Sequence, residues 1–334
     1  MDPLTQLLAA YTLARAARLR MASPEMAAFL LAGIAPDLDW LWHLPYPLSQ
    51  VRAFGTATQS LLGAALLAGA IAGAVWFGAR GLEQAPSLAR LLAAASAAAA
   101  AHVLLDLCST TGIELYWPFA RARVSWNLVT GLDAILLAIL ALCALLSVLT
   151  GLVSEEIGDA RDPRPPRTWP VTALILVLIY LGARAMLHQR AEELLGRADY
   201  KGNTARRWEA FPAGANPFAW RGVVETDTFL AELDVPLGPG AEFSAENAAL
   251  HYKPEPSPQE AAAAGAPLAR AYVALARFPS LTLTGSADGT EAQFRELGYS
   301  ALRSRHGMWL ALVELGPDAK VVREELFYDA TRAP

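Results

Sequence analysis

Apolar positions crowd the first 190 residues, and most charged positions follow them. Residues 60–77 run 18 positions without a charge, and residues 134–153 run 20. A helix needs about 20 apolar residues to cross the hydrocarbon of a bilayer. Residues 91–105 and 169–183 are shorter, but their flanks extend them. Trp76, Trp126 and Trp169 stand near segment ends, where aromatic side chains anchor at the membrane interface. One such run suits a buried soluble helix; four between residues 60 and 183 indicate an integral membrane protein. Two weaker segments precede them. Residues 4–19 are apolar and end in Arg15, Arg18 and Arg20, and residues 24–44 open on Ser23-Pro24, a sound helix start. The pattern therefore predicts six helices, at about 4–19, 24–44, 60–78, 88–108, 131–153 and 169–188. The first is short enough to be tilted or re-entrant.

After a Pro- and charge-rich loop at 158–168, the period changes. Residues 220–235 read as a strand or hairpin. Ser257-Pro258-Gln259-Glu260 opens a helix that could run to Phe278 through Gly265 and Pro267. Residues 280–284, 292–297, 308–314 and 320–328 read as strands, separated by Ala287-Asp288-Gly289 and Gly316-Pro317-Asp318. The expected fold is an all-α polytopic membrane bundle over residues 1–190, followed by a soluble α+β domain over 195–334 in which a small sheet carries a helix.

Composition sharpens this picture. Of 334 residues, 54% are apolar and 18% charged, too apolar for an average soluble chain. The formal net charge of -5 gives no sign of a nucleic-acid partner. Cys108 and Cys143 both lie in apolar surroundings, which argues against a structural disulfide. The opening M-D-P-L-T-Q lacks the basic stretch of a cleaved signal peptide, so the first segment is expected to stay. Arginines follow helices 1, 3 and 5 (Arg15, Arg18, Arg20; Arg80, Arg90; Arg161, Arg164, Arg167), which orients those loops to the cytoplasm and the tail away from it. Arg52, Arg121 and Arg123 lie on the opposite side and weaken that bias.

Against this background a few polar residues stand out. Asp37 and Asp39 interrupt the apolar stretch L31-A-G-I-A-P-D-L-D-W-L-W42. An unpaired carboxylate is expensive to take out of water, so solvent, a cation, a metal or a capping role must answer for them. His102 and Asp106 are four apart near the end of helix 4 and share a face. A salt bridge that fixes helix packing would account for that pair alone. Asp133 begins helix 5, where an acid is also favoured by the helix dipole. Alternating helices, however, bring the ends of helices 2 and 4 and the start of helix 5 to one membrane side, with Gln6 and Gln59. Four acids and one imidazole converging there suit Zn, Mn, Fe or Mg, as one ion or as a carboxylate-bridged pair. His43 lies four positions from Asp39 and could substitute as a ligand.

These motifs, taken together, resemble the membrane-bound metal-dependent hydrolase family. Its members open M-D-P-L-T-H, continue with P-D-x-D and H-R-G-x-T-H-S, and carry an H-x-x-x-D helix and a later Asp. This chain has M1-D-P-L-T-Q6, P36-D-L-D39, F54-G-T-A-T-Q-S60, H102-V-L-L-D106 with G112-I-E-L-Y-W-P-F119, and N127-L-V-T-G-L-D133. The likeness covers roughly residues 1–190, and P217-F-A-W-R-G-V-V-E-T226 is similar to a segment of longer members. It implies a site in the inner (cytoplasmic) membrane in which Asp37, Asp39, His102, Asp106 and Asp133 hold a divalent ion. The first four would act in catalysis. Gln6, Phe54 and Gln59 stand where the family has histidines, and Gly55 where it has Arg. Zinc, which favours nitrogen donors, should suffer most, leaving Mg or Mn as the better-suited ions.

Three functions follow as expectations. The first is a membrane-embedded metal-dependent hydrolase acting on a lipid-linked or amphiphilic ester or phosphoester. The second is a catalytically degenerate member serving as a membrane structural or partner-binding protein. The third, a transporter with an acidic path, is disfavoured by the one-sided clustering of the polar residues.

Overall fold

A computed structural model describes residues 1–21, 23–37, 57–82, 85–156, 167–286, 289–300, 302–304 and 307–329. Asp39, His43, Phe54 and Gly55 lie outside the described residues, as do positions 38–44 of the second expected helix.

Among the described residues six α-helices form the first part: α1 (Pro3–Ala16), α2 (Pro24–Ile34), α3 (Leu61–Ala79), α4 (Leu88–Cys108), α5 (Ala134–Glu156) and α6 (Thr168–Arg197). Their starts are written locally. Asp2 caps α1 by accepting from Thr5 N at 2.8 Å, and Ser23 caps α2 from Met26 N at 3.2 Å. Ser60 and Ser87 do the same for α3 and α4, from Gly63 N at 3.0 Å and Arg90 N at 3.4 Å. Each cap satisfies a helix N–H that has no partner within the helix. α3, α4, α5 and α6 are long and apolar enough to span a membrane. The chain is thus a helical membrane region followed by an α+β region. With 14 and 11 residues, α1 and α2 reach only about 21 and about 17 Å at ~1.5 Å per residue, too short to cross. α2 stops at Ile34, and residues 35–37 form a 3-10 turn. Pro36 cannot donate the N–H that a continuing α-helix needs.

The helices meet through small side chains. Ala64, Ala68 and Ala72 of α3 and Leu91, Ala95, Ala98 and Ala99 of α4 share one core with Met26, Phe29 and Ala32 of α2 and Ala10 and Ala14 of α1. Lipid tails are as apolar as leucine, so close backbone approach rather than hydrophobic transfer holds such an interface. The buried stripe of α4 continues through His102, Val103 and Asp106, which directs both polar residues into the bundle.

The contacts divide into two compact units, the described residues up to Arg184 and those from Ala185 onward. The second contains two antiparallel sheets. One has the order β1 (Arg207–Pro212), β2 (Ala219–Glu225), β3 (Phe229–Pro236), β4 (Ala249–Tyr252). The other runs β5 (Pro279–Ser286), β6 (Gly289–Glu296), β8 (Gly307–Leu315), with β7 (Arg303–Ser304) and β9 (Val321–Asp329) both pairing β8. In the first sheet Trp220, Val224, Phe229, Ala231, Leu233 and Val235 pack on Ala191 and Leu195, the final turns of α6. Its other face, with Phe211, Val223 and Leu230, meets Phe278, Leu297 and Tyr299. The second sheet is covered by α7 (Pro258–Gly265) and α8 (Pro267–Val273).

Two details differ from the sequence expectation. The helix from Pro258 breaks at Ala266, whose φ -60 and ψ 140 are extended. The residue before a proline is pushed out of the α region, and Pro267 restarts the helix at its own first turn. There are also two sheets where one was expected.

Candidate metal centre

His102 and Asp106 occupy successive turns of α4, and Asp37 ends the 3-10 turn after α2. Packing of α4 against α2 brings the three together. One ligand atom from each of Asp37, His102 and Asp106 lies within 4.8 Å of the others, and all three residues are buried. His102 Nε2 stands 3.1 Å from Asp106 Oδ2 and 3.5 Å from Asp37 Oδ1.

Each member is held by one atom and left open at another. His102 Nδ1 lies 2.8 Å from the Gly33 carbonyl, so that nitrogen carries the hydrogen. Gln59 Nε2 donates to Asp37 Oδ1 at 3.1 Å. Gln6 Nε2 donates to Asp106 Oδ1 at 3.0 Å and to the His102 carbonyl at 3.3 Å. The Met1 amino group also pairs with Asp106 Oδ1. The remaining atoms, His102 Nε2, Asp37 Oδ2, Asp106 Oδ2 and Gln59 Oε1, are buried and find no hydrogen-bond partner outside the group, with His102 Nε2 and Asp106 Oδ2 facing each other. A neutral imidazole whose Nδ1 donates presents a lone pair at Nε2, here toward two carboxylates. A proton on Nε2 or a cation among these atoms relieves the repulsion.

The donor set fits a divalent ion. Atoms about 2.1 Å from one octahedral ion stand roughly 3.0 Å apart. The 3.1 Å between the open atoms His102 Nε2 and Asp106 Oδ2 is close to that spacing. The outer hydrogen bonds follow the arrangement in which a ligand's second atom is fixed by the protein, which sets ring tautomer and carboxylate orientation. One nitrogen against several oxygens suits Mg or Mn better than zinc.

Asp133 is not in this group. Its Oδ1 accepts from Ile135 N at 3.1 Å and Leu136 N at 3.0 Å, capping α5. Tyr180 Oη donates to both carboxylate oxygens, at 3.0 and 2.9 Å. Buried Arg184 is drawn electrostatically to Asp133, and its Nε donates to the Leu128 carbonyl at 2.7 Å. Sequence reasoning passed over Tyr180 and Arg184. The available signal was an arginine only one position beyond the apolar run 169–183. It also missed the Gly33 carbonyl, a backbone group that no residue pattern announces.

A buried acid–imidazole group at one end of a helical unit with four helices able to span a membrane, among the described residues, defines a polytopic membrane protein with a buried polar site. The family model described as YdjM inner membrane protein matches residues 1–191, and the chain belongs to that family, as a multi-pass protein of the inner membrane. No curated protein and no solved structure matches it.

Proposed function

We propose that Asp37, His102 and Asp106, with the Gln59 amide oxygen, form the divalent-cation site of a membrane-embedded hydrolase. The reading rests on one observation: four buried atoms, from Asp37, His102, Asp106 and the Gln59 bonded to Asp37, find no hydrogen-bond partner outside their own cluster. Unsatisfied buried polar atoms are costly, and native chains keep few of them without a reason. Asp39, two residues from Asp37, remains a candidate ligand on sequence grounds. A divalent ion, when bound, supplies Lewis acidity and lowers the pKa of water beside it. The chain's own residues do the rest. Gly33 fixes the His102 ring, Gln59 and Gln6 orient the two carboxylates, and Asp37 or Asp106 can accept a proton from the attacking water. A site at the end of spanning helices favours an amphiphilic or lipid-linked ester or phosphoester.

One observation favours a second reading. The Met1 amino group already neutralises part of Asp106, and a protonated His102 would complete a metal-free ion cluster. The protein would then be a degenerate member serving as a structural or partner-binding element of the membrane. Calorimetric titration of the purified full chain with Mg, Mn and Zn separates the two. The hydrolase reading expects binding of Mg or Mn, lost in Asp37→Asn and Asp106→Asn. It also expects zinc affinity to rise at least about tenfold when Gln6 and Gln59 both become His. No binding of any of the three ions at millimolar concentration, with no zinc gained by the double variant, establishes the ion-cluster reading instead.

A further inference from the structure

The end of the helical unit that carries the cluster has an unusual rim. Leu4 of α1, Leu61 of α3, and Leu132 just before α5 are exposed, as are Tyr116, Phe119 and Trp126 between α4 and α5. Phe119, at 88% exposed, is the most open large apolar side chain among the described residues. The segment that bears it is ordered. Ile113 and Val124 exchange two backbone hydrogen bonds, at 3.1 and 2.9 Å, making a hairpin. Its tip turns through Trp117 N to Glu114 O at 3.0 Å and Phe119 N to Tyr116 O at 2.9 Å. The hairpin is pinned to the membrane helices on two sides, by Leu61 N to Leu115 O at 3.0 Å and Trp126 N to Leu107 O at 2.6 Å.

A helix end that faced bulk water would carry polar side chains there. This one presents leucines and three aromatics. Tyr and Trp combine an apolar body with a polar tip and concentrate where lipid headgroups meet acyl chains. The hairpin also carries two arginines and one acid. Glu114 is buried, whereas Arg121 is exposed beside Phe119. Its outward charge is therefore positive, which attracts anionic lipid.

We propose that residues 113–126 are a lipid-docking hairpin, sunk in the headgroup layer with Phe119 at the acyl boundary and Arg121 on an anionic phospholipid. The assignment holds whether or not the cluster binds a metal. It places the cluster's end within the leaflet surface, where an amphiphile enters sideways from lipid rather than from water.

The test uses the full chain in nanodiscs of phosphatidylcholine with phosphatidylglycerol, and of phosphatidylcholine alone. Spin labels are placed at Phe119→Cys and, as an aqueous reference, Ala241→Cys, with the buried Cys108 and Cys143 changed to Ala. Collisions with oxygen and with a water-soluble nickel chelate report depth. The label at 119 should show severalfold less nickel and more oxygen collision than that at 241, and sit deeper when phosphatidylglycerol is present. Equal nickel collision at the two positions overturns the docking hairpin, and equal depth in both lipids overturns the anionic contact. A second measurement needs no cysteine replacement: lipids brominated near the headgroup quench wild-type tryptophan fluorescence. Trp126→Phe should lose part of that quenching, and an unchanged quenched fraction counts against the proposal.

Discussion

Asp133 serves three partners at once, a helix start, a tyrosine hydroxyl and a buried guanidinium. Asp133 and Arg184 act on each other's charge, so removing either leaves the other less compensated in a buried setting. Arg184→Met and Asp133→Asn should each lower the thermal unfolding midpoint in detergent by several degrees. Tyr180→Phe, losing a hydrogen bond, should cost only about 1–3 kcal/mol. Asp133→Asn should leave metal affinity intact; a parallel loss of binding would return Asp133 to the ligand set. In the second unit, burial alone would raise the Glu232 carboxyl, but contact with His251 and the charges of Arg303 and Arg221 hold it at about 2. Arg303 donates to Glu232 Oε1 at 2.9 Å. A depressed carboxyl stabilises the fold above its ordinary pKa of 4.5, and that stability is lost as pH falls toward about 2. Urea unfolding between pH 6 and 3 should therefore show wild type losing on the order of 2 kcal/mol more than Glu232→Gln. Parallel pH profiles would contradict this. At this scale the sequence was readable where burial is expensive. Asp37, His102 and Asp106 stood out because apolar neighbours surround them. Gln59 was seen only as a poor substitute for histidine, because its fully buried oxygen depends on tertiary packing.

Among elements, the α1–α2 crossing positions the site. A Cβ on Gly33 would fall 2.4 Å from Ala10 Cβ, so Gly33→Ala forces the two helices apart. The Gly33 carbonyl that fixes His102 would move with them, and both stability and ion affinity should fall. Gly222 plays a similar part in the first sheet, where an added Cβ would meet Leu195 Cδ2 at 2.3 Å. Gly222→Ala should destabilise that sheet by about 1–3 kcal/mol, seen as faster amide exchange in β2. A variant with native exchange would show that Leu195 simply turns away. Long apolar helices were legible because a soluble chain rarely sustains a charge-free run long enough to cross a bilayer. β1 was not, because Ala210 packs with the end of α6 while the adjacent Phe211 packs with Phe278, Leu297 and Tyr299, which erases the polar alternation of a half-buried strand. The four-residue edge strand β4 is too short for periodicity to register. The Ala266–Pro267 break was written in the proline, but the alanine-rich run 261–276 suggested continuity.

Across the whole molecule, the described residues contain four helices able to span a membrane, and an even number of crossings returns a chain to the side from which it entered. Arg80, Arg90 and Arg167 lie at the end of the helical unit opposite the cluster, and positive charge favours the cytoplasmic side. That bias predicts that residues 198–334 are extracytoplasmic. A cysteine at exposed Ala241 should react with an impermeant maleimide in intact spheroplasts; reaction only after lysis would mean that a crossing has been miscounted. The central claim concerns the cluster itself, and the direct measurement is pulsed EPR on the purified full chain with Mn(II) bound in nanodiscs. Electron spin echo modulation should show one directly coordinated nitrogen, absent in His102→Gln, and the signal should be lost in Asp37→Asn. A Mn(II) spectrum of the free aquo ion, or a bound ion with no nitrogen modulation, would contradict a metal site at Asp37, His102 and Asp106.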